Sequence, residues 1–453
     1  MESARADPVG TSITDETLVV RGRQLDQPDP QAFLADGADR DRPWIVWNGP
    51  DERVTALGSA STVTANGPDR FEKIQRRASA VFRKSDVDPD LPSAAAPRFF
   101  GGFAFHEGED DRHGEPDWRG FPDAQFVLPA VTVIQRQTGA WLTVAAVGSD
   151  AESTAERALD TWAEKLSGGT DRAPTAPPKI AGRTLFPDRA AWTEQLEAVL
   201  DRIERGDLRK VVLGGAQSVE LAGDLSIPAA LERLGETYPD CYRFAFQPDV
   251  DDAGTFFGAT PERLLELSDT TVSTVALAGS TGRGETQAED EWLAERLAAN
   301  EKDRHEHGLV VEAIETQLAD VAECIETGDR TVRQLATVQH LSTPIRATLA
   351  DEMHVLSLVA TLHPTPAVGG LPPKAALTAI RDAEAFDRGW YAAPIGWFDA
   401  DGDGTFAVGI RSALARNRRA TLFAGAGIVA ESDPDEEWDE IQLKYRPILD
   451  AVR

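Results

Sequence analysis

Strand-like and helix-like segments follow one another along this chain without the strict strand–helix–strand order of a doubly wound parallel sheet. Short apolar runs between turn residues predict strands at residues 43–47, 99–105, 124–135, 141–147, 210–213, 243–246, 255–257, 264–267, 271–277, 395–398, 406–411 and 419–423. Helical spacing of apolar residues predicts helices at residues 69–84, 151–166, 192–203, 288–299 and 302–325, and from Pro434 onward. This mixture of elements favours the α+β fold class.

The 453 residues divide into four stretches by composition and pattern. Residues 1–26 are polar and are predicted to form a loosely ordered N-terminal segment, and residues 27–169 form an N-terminal α/β part. Residues 170–185 begin with a run rich in Pro, Ala and Thr, which predicts a linker or a long surface crossing. Residues 186–453 form the second part of the chain, which carries the clearest patterns.

The charge balance excludes several classes of partner. The 46 Lys and Arg residues against 76 Asp and Glu residues give a formal net charge of −30. Such a surface repels phosphate backbones and anionic membranes, so we expect neither a nucleic-acid partner nor a membrane partner. Because only 8 of the 46 basic residues are Lys, the surface resembles that of proteins from salt-loving cells.

The cysteine count and the start of the chain indicate a cytoplasmic protein. Cys241 and Cys324 are the only two cysteines and cannot cross-link a chain of this length, which fits a reducing compartment. The first sixteen residues lack a basic region followed by an apolar core, so no signal peptide is expected. No apolar run reaches the roughly 18 residues of a membrane helix.

Acidic side chains lie on the apolar faces of two predicted helices. Glu306 precedes Leu309 and Val310 by one turn on the same face, and Asp303 lies a turn earlier. A carboxylate that points toward the core needs a partner or a metal, whereas one in an exposed first turn only stabilises the helix dipole. The spacing alone leaves both interpretations open.

The final helix repeats this pattern. Asp433 is the predicted N-cap, and Glu437, Glu440 and Lys444 fall within one arc beside Ile441. An exposed Glu–Lys ladder would have the same spacing. Two acidic pairs on two helices could instead hold a hard divalent ion such as Mg²⁺, which accepts few carboxylates and keeps several waters.

In chain order, segments of the second part resemble the chorismate-utilising enzymes, a family that contains isochorismate, salicylate, anthranilate and aminodeoxychorismate synthases. The matching segments cover about residues 190–450: GDLRKVVL (206–213), FFGATPERLL (256–265), TVALAGSTGRG (274–284), KDRHEHGLVV (302–311), VQHL (338–341), LHPTPAVGGLP (362–372), FDRGWYAAPIGWFD (386–399), FAVGIRSAL (406–414) and AGAGIVAESDPDEEWDEIQLK (424–444). The first part matches weakly, mainly at GGFAF (101–105) and at residues 118–129.

The resemblance implies a fold and a metal site. The implied fold has two large, mostly antiparallel β-sheets flanked by helices, with residues 186–453 as the chorismate-binding catalytic part. The resemblance further implies that Glu306 and Glu440 bind Mg²⁺ directly and that Asp303 and Glu437 support the ion through water. The ion would hold a carboxylate of the substrate.

Two residues match the family's proton-transfer positions. Lys210 matches the lysine with which isochorismate synthases activate water, and burial beside few charges would lower its pKa and leave part of it neutral. Glu262 matches the general acid that protonates the departing hydroxyl, a role that requires a raised pKa. Without the resemblance, Lys210 would be interpreted as a surface lysine at a strand edge and Glu262 as a solvated turn residue.

Other residues match substrate contacts. Arg411 matches a carboxylate-binding arginine, whose planar fork suits a bidentate contact, and Lys444 matches a second cation. Surface ion pairing is the alternative interpretation of both. The remaining residues that match substrate-contacting positions are Gly279, Ser280, His340, His363, Ala367, Tyr391, Gly425 and Gly427.

The implied activity is the Mg²⁺-dependent, reversible isomerisation of chorismate to isochorismate, for menaquinone biosynthesis. Ala278 stands where one type of aminodeoxychorismate synthase carries a nucleophilic lysine, and HPTPA (363–367) differs from the F-P-A-G-T of anthranilate synthases. Ala367 also falls where ring-aromatising relatives often carry Thr. The alternatives are a salicylate synthase and an anthranilate or aminodeoxychorismate synthase component I; a catalytically inactive chorismate- or Mg²⁺-binding regulator is the alternative of a different class.

The resemblance also predicts the partners of the protein. At one position the chain departs from the family's pattern. A water-using enzyme needs no glutaminase subunit, and we expect a monomer or a homodimer. After KVVL many relatives read A-R, whereas this chain has Gly214 and Gly215. The missing arginine could alter the support of the strand that carries Lys210.

Overall fold

The computed structural model describes residues 17–26, 28–37, 42–108, 116, 118–167 and 176–453. Within these residues the chain forms two large β-sheets, of 13 and 10 strands, together with ten α-helices. The prediction of an α+β fold with two large, mostly antiparallel sheets is therefore confirmed. No helix in this part of the chain has the length and apolar character needed to span a membrane.

The larger sheet connects strands from both ends of the chain. Its strands are β1 (Leu18–Leu25), β2 (Trp44–Asn48), β3 (Glu52–Leu57), β5 (Ser85–Val87), β8 (Val131–Arg136), β9 (Gly139–Val147), β10 (Ile180–Phe186), β11 (Lys210–Leu221), β12 (Tyr242–Gln247), β13 (Thr255–Thr260), β19 (Gly370–Leu371), β22 (Ser412–Arg416) and β23 (Arg419–Ile428). They lie in the order β10-β11-β23-β22-β13-β12-β2-β3-β8-β9-β1-β5, and β19 also pairs with β11.

The smaller sheet is built in the same way. Its strands are β4 (Ser61–Ala65), β6 (Phe99–Phe103), β7 (Ala124–Leu128), β14 (Arg263–Ser268), β15 (Thr271–Gly282), β16 (Ala322–Thr327), β17 (Thr331–Gln334), β18 (Val338–Leu349), β20 (Pro394–Phe398) and β21 (Gly404–Val408). They lie in the order β16-β18-β15-β14-β21-β20-β6-β7-β4, and β17 also pairs with β18.

The helices are α1 (Pro30–Gly37), α2 (Arg70–Phe82), α3 (Ala151–Ser167), α4 (Arg189–Glu204), α5 (Ile227–Thr237), α6 (Gln287–Ala299), α7 (Glu301–Ala319), α8 (Val355–Leu362), α9 (Pro373–Ala383) and α10 (Pro434–Ala451). Helix α10 begins as the sequence predicts, because the side chain of Asp433 accepts hydrogen bonds from the amides of Asp435 and Glu436. Helix α7 is capped by Asn300, whose side chain accepts from the amide of Asp303.

Aromatic side chains pack the two sheets against each other. The fully buried Trp390 precedes β20 of the smaller sheet, and its ring centroid lies 5.2 Å from that of Phe246 in β12 of the larger sheet. Phe121 packs edge-on against Trp390 at 5.1 Å. A Cβ atom at Gly102 would lie 2.9 Å from the Trp390 ring, so glycine is needed for this close packing. The core therefore joins both parts of the chain.

Three predictions of local structure were wrong. Leu18–Leu25, inside the predicted loose segment, forms β1 and pairs with β9. The predicted strand at residues 124–135 is two strands in different sheets, because Pro129 has no amide hydrogen to continue a ladder. The helix predicted to reach Ile325 ends at Ala319, because the residues that follow pair with β18.

Two connecting segments are also informative. Residues 170–175 of the predicted linker lie outside the described part of the chain, and most of the rest belongs to β10 (Ile180–Phe186), which pairs with β11. Asp399 lies in the turn between β20 and β21, where its side chain accepts hydrogen bonds from the amides of Asp401 and Asp403. The Asp399 side chain therefore stabilises this turn by hydrogen bonds to the backbone of the turn itself.

Candidate active site

A small cavity lies where strands of both sheets approach helices α7 and α10. Its free volume is about 60 Å³. Most of the predicted site residues line this cavity: Glu262, Gly279, Ser280, Glu306, His340, Ala367, Tyr391, Arg411, Gly425, Gly427, Glu440 and Lys444. The remaining four, Lys210, Asp303, His363 and Glu437, lie outside its lining.

Lys210 is fully buried at the start of β11 and points at the cavity wall. Its Nζ lies 2.9 Å from Oε1 of Glu306 on helix α7. The two atoms are not aligned as a hydrogen bond, so the contact is an ion pair only. The expectation that few charges surround Lys210 was wrong, because helix α7 brings a carboxylate directly against its amine.

Gly427 makes room for this ion pair. It lies on β23, opposite Val212 of β11, and its backbone faces the Lys210 and Glu306 side chains. A Cβ atom at this position would overlap Oε1 of Glu306 and would lie 3.0 Å from Cε of Lys210. A residue with a side chain would therefore separate the two charges.

Glu262 lies in the short turn between β13 and β14. Its amide donates a 3.2 Å hydrogen bond to Oγ1 of Thr260, and its side chain is only 7% exposed. Burial raises the pKa of Glu262 to about 7, although the nearby cations of Lys210 and Arg411 act in the opposite direction. Close to neutral pH this carboxyl group is divided between its protonated and ionised forms.

Glu440 belongs to a bonded group in the cavity lining that also contains Ser280 and Lys444. Its carboxylate accepts a 3.0 Å hydrogen bond from Oγ of Ser280 and pairs with Lys444 one turn along α10. Although burial opposes ionisation, Lys444 and Ser280 lower the pKa of Glu440. Ser280 therefore orients a carboxylate in this structure, in addition to lining the cavity.

Asp303 and Glu437 lie behind the two cavity carboxylates. Burial and the neighbouring Glu306 raise the pKa of Asp303 to about 7, and burial and Glu440 raise that of Glu437 to about 7. Lys302 Nζ lies 2.6 Å from Oε1 of Glu437 and compensates part of this charge. The cluster thus holds more acidic groups than its lysines neutralise.

The donor set of this cluster fits Mg²⁺. Glu306 and Glu440 present oxygen atoms, which Mg²⁺ prefers, and the surplus of buried acidic groups favours a cation. Among the described residues, no three His, Cys, Asp or Glu side chains are grouped as a complete metal cage. Mg²⁺ does not need one, because it binds one or two carboxylates and keeps waters.

His340 and Arg411 are buried side by side in the cavity wall. Nη2 of Arg411 lies 3.3 Å from Nε2 of His340, and Nδ1 of His340 lies 3.2 Å from the carbonyl oxygen of Gly279. A guanidinium only donates, so Nε2 accepts and Nδ1 carries the proton. Burial, together with Arg411 and Lys444, lowers the pKa of His340 to about 3, so the ring is neutral.

Arg411 has a strained backbone as well as a buried side chain. Its φ of 50° lies in the left-handed region, which residues other than glycine seldom adopt. The carbonyl of Arg411 accepts a 3.1 Å hydrogen bond from the amide of Ala259, which holds this conformation. Such strain is typical of functional positions.

Gly425 brings the backbone of β23 close to two further polar side chains, those of Lys444 and Tyr391. Nζ of Lys444 donates a 2.8 Å hydrogen bond to the carbonyl of Gly425. A Cβ atom at Gly425 would lie 2.9 Å from the hydroxyl of Tyr391, whose pKa is raised by burial. The close approach of β23 to Tyr391 therefore depends on glycine.

His363 lies apart from the other predicted substrate contacts, and several residues of the cavity wall were not predicted. His363 lies at the end of α8 with Nε2 3.4 Å from the carbonyl of Phe105, outside the cavity lining. The cavity wall also contains apolar residues that the analysis did not name, among them Val212, Val368, Ala392 and Ile410. Val368, Ala392 and Ile410 are next to Ala367, Tyr391 and Arg411 in the chain, and this adjacency is the signal that could have found them.

This chain is similar to known proteins along nearly its whole length. The family described as chorismate binding enzyme matches residues 5–453. The salicylate biosynthesis isochorismate synthase of Pseudomonas aeruginosa is 37% identical over 99% of this chain and 93% of that protein. The isochorismate synthase MenF of Bacillus subtilis is 32% identical over 97% of this chain and 94% of that protein. The solved structure of MenF, the menaquinone-specific isochorismate synthase from Escherichia coli, has a TM-score of 0.80 at 26% identity and covers 97% of this chain and 95% of that chain.

Proposed function

Because the chain belongs to the family of chorismate binding enzymes, we propose that it is an isochorismate synthase that isomerises chorismate reversibly in the presence of Mg²⁺. The observation that carries this proposal is the arrangement of two proton-transfer groups around one cavity. Lys210 contacts Glu306 in the cavity wall, and Glu262, with a pKa of about 7, lines the cavity itself. Full-length similarity to two isochorismate synthases supports the same reaction.

Lys210 and Glu262 exchange protons with the substrate in this proposal. Lys210 takes a proton from water as the water oxygen bonds to ring C2. The two ring double bonds shift by one position toward C4, and Glu262 gives its proton to the C4 hydroxyl, which leaves as water. One water enters and one leaves, so the reaction is an isomerisation. Glu262 meets the charge that develops on the leaving oxygen, and its burial keeps the required proton available near neutral pH.

Glu306 and Glu440 would hold Mg²⁺, which supplies positive charge for a carboxylate of chorismate. Arg411 and Lys444 contribute cations of the chain itself to the cavity lining, within a protein of net charge −30. Arg411 suits a bidentate contact with the second carboxylate because its guanidinium is planar. Gly425 and Gly427 let the β23 backbone approach the ligand.

Water is the proposed nucleophile because the cavity lacks a nucleophilic lysine at the position where one type of relative carries it. Ala278, which lines the cavity, occupies the position of the nucleophilic lysine in one type of aminodeoxychorismate synthase. An enzyme-bound amine is therefore excluded at that position. Ala367 likewise lines the cavity without the hydroxyl that ring-aromatising relatives often carry there.

Product analysis tests the proposal. Purified protein is incubated with chorismate in molar KCl, with and without Mg²⁺ and without ammonium, and the products are separated by chromatography. The proposal predicts isochorismate only when Mg²⁺ is present. Salicylate with pyruvate would identify a salicylate synthase, and turnover only with ammonium would identify the anthranilate or aminodeoxychorismate reaction. No turnover under any of these conditions would favour the inactive regulator.

We further propose that the product enters menaquinone biosynthesis in the cytoplasm, without a glutaminase subunit. Support comes from the relatives named MenF, and the free thiols of Cys241 and Cys324 fit a reducing compartment. Deletion of the gene should remove menaquinone from cell extracts, and plasmid-borne wild type should restore it. Loss of salicylate with unchanged menaquinone would instead assign the product to salicylate biosynthesis, as the name of the Pseudomonas relative suggests. Sedimentation of the pure protein distinguishes between the two expected states, a monomer and a homodimer.

A further inference from the structure

Glu384 and Arg388 form a fully buried ion pair beside the cavity. Their side chains are 2% and 1% exposed, and Nε of Arg388 donates a 2.8 Å hydrogen bond to Oε2 of Glu384. Nη2 of Arg388 contacts the other carboxylate oxygen. Burying two charges is costly, so such a pair persists only where further hydrogen bonds satisfy the remaining donors and acceptors.

Those further hydrogen bonds go to the strand that carries Lys210. Nη2 of Arg388 donates to the carbonyl of Val212 at 2.8 Å, and Oε1 of Glu384 accepts from the amide of Gly214 at 2.6 Å. On this side of β11, residues 210–211 pair with β19 and residues 216–221 pair with β10. The Glu384–Arg388 pair thus provides a donor and an acceptor where the ladder of backbone partners is interrupted.

The same guanidinium also contacts two other parts of the cavity wall. Nη1 of Arg388 donates a 2.9 Å hydrogen bond to the carbonyl of Val368, which lines the cavity. The guanidinium carbon lies 4.3 Å from the ring centroid of Phe105 and 5.7 Å from that of Tyr391, another cavity residue. Neither Arg388 nor Glu384 lines the cavity.

Gly214 is part of this arrangement. A Cβ atom at this position would lie 2.9 Å from Oε1 of Glu384 and 3.1 Å from the ring of Phe386. The glycine therefore allows the carboxylate to reach the backbone of β11. A methyl group there would displace Glu384 without changing any charge.

We propose that Glu384 and Arg388 are positioning residues for the isomerisation, acting through Val212, Val368 and Tyr391 on the geometry of the cavity and on the placement of Lys210. This inference rests on the proposed function. Arginine is required because its planar fork serves a carboxylate and two carbonyl oxygens at once, which the single amine of lysine cannot do. A small displacement of reacting groups lowers turnover by up to about 100-fold.

The test compares single and paired replacements. Arg388→Met alone leaves a buried carboxylate uncompensated and can unfold the chain, so the main variant is Glu384→Leu/Arg388→Met, which removes both charges. Gly214→Ala displaces Glu384 from the other side, and Arg388→Lys keeps the charge but not the fork. Lys73→Met is the control, since Asp69 and Lys73 form a pair with the same i, i+4 spacing whose side chains are 53% and 31% exposed.

Two readouts separate this proposal from the proposed function. For the double variant we expect kcat to fall by about 10- to 100-fold with KM within about threefold of wild type and an unchanged pH profile, and Arg388→Lys should recover stability but not kcat. Independently of activity, hydrogen exchange at the Gly214 amide should become at least about tenfold faster. A folded double variant with wild-type kcat, or with unchanged exchange at Gly214, overturns the positioning role. If wild type converts no chorismate, the proposed function fails. Faster exchange at the Gly214 amide in the double variant would then show only that the Glu384–Arg388 pair stabilises strand β11.

Discussion

Nζ of Lys210 lies 2.9 Å from Oε1 of Glu306, so the proposed base and a proposed metal ligand are paired with each other. The two residues belong to different elements, strand β11 and helix α7, and meet over Gly427 of β23. Both proposed roles therefore depend on one carboxylate. Any cation that binds Glu306 competes with the amine of Lys210 for the same oxygen.

Replacing Lys210 by alanine should abolish most turnover. General base catalysis contributes about 10²- to 10⁴-fold, so kcat should fall within that range. Chromatographic measurement of isochorismate formation checks the expectation, with circular dichroism to verify folding. Arg209→Ala is the control, because Arg209 is the adjacent, exposed residue and its 3.5 Å ion pair with Glu312 is solvated. If Lys210→Ala retains wild-type turnover, Lys210 is not the base.

The activity of the enzyme should decrease as the pH rises above about 7. In the proposed mechanism Glu262 must be protonated to give a proton to the leaving hydroxyl, and burial places its pKa at about 7. A pH profile of kcat between about pH 5.5 and 9 should show this decrease in wild type. Glu262→Gln should have low activity without the same titration. A wild-type profile that stays flat through pH 7 to 9 would contradict the assignment of Glu262 as the acid.

The same carboxyl group should affect stability in a predictable direction. Its pKa is raised from 4.5 to about 7 on folding, so between these values the folded chain retains a proton that the unfolded chain has lost. The stabilisation is therefore complete below about pH 4.5 and is lost as the pH rises through 7. Because Gln is always neutral, the Tm of Glu262→Gln minus that of wild type should increase from pH 5 to pH 8. A difference that stays constant would show that Glu262 has an ordinary pKa.

Substituting Gly427 by alanine should separate Lys210 from Glu306. The added methyl group would overlap Oε1 of Glu306, so we expect kcat to fall by at least about tenfold, as for other small displacements of reacting groups. Gly308→Ala is a matched control on helix α7, because Gly308 is exposed and no atom lies near the new methyl group. That control should retain activity and gain about 0.5–1 kcal/mol of stability. Equal activity in both variants would mean that the ion pair is not needed in its present geometry.

Salt should stabilise the protein. A net charge of −30 destabilises the compact state by self-repulsion, and ions screen this repulsion. The Tm should rise as KCl increases from about 0.05 M to about 2 M. Sucrose of equal osmolality is the control, since it does not screen charge. A Tm that responds equally to sucrose and KCl would show that charge repulsion is not the cause.

Local sequence patterns determined the types of most elements and the faces on which the acidic residues lie. The spacing of Glu306 before Leu309, and of Glu437, Glu440 and Lys444 on the last helix, is a property of the helix itself, so it is readable without the fold. The motifs also indicated the family. Patterns did not reveal β1 or the division of residues 124–135 between two sheets, because strand pairing connects residues that are distant in the chain.

Only the tertiary structure decided which charges face each other. The contact of Lys210 with Glu306, the burial that raises the pKa of Glu262, and the exclusion of His363 from the cavity all follow from the packing of β11, α7 and α10. Charge interactions act over a few ångströms through space and depend on burial, and neither quantity is encoded in residue spacing. The sequence therefore determined which groups were available, and the packing of two sheets determined how they are paired.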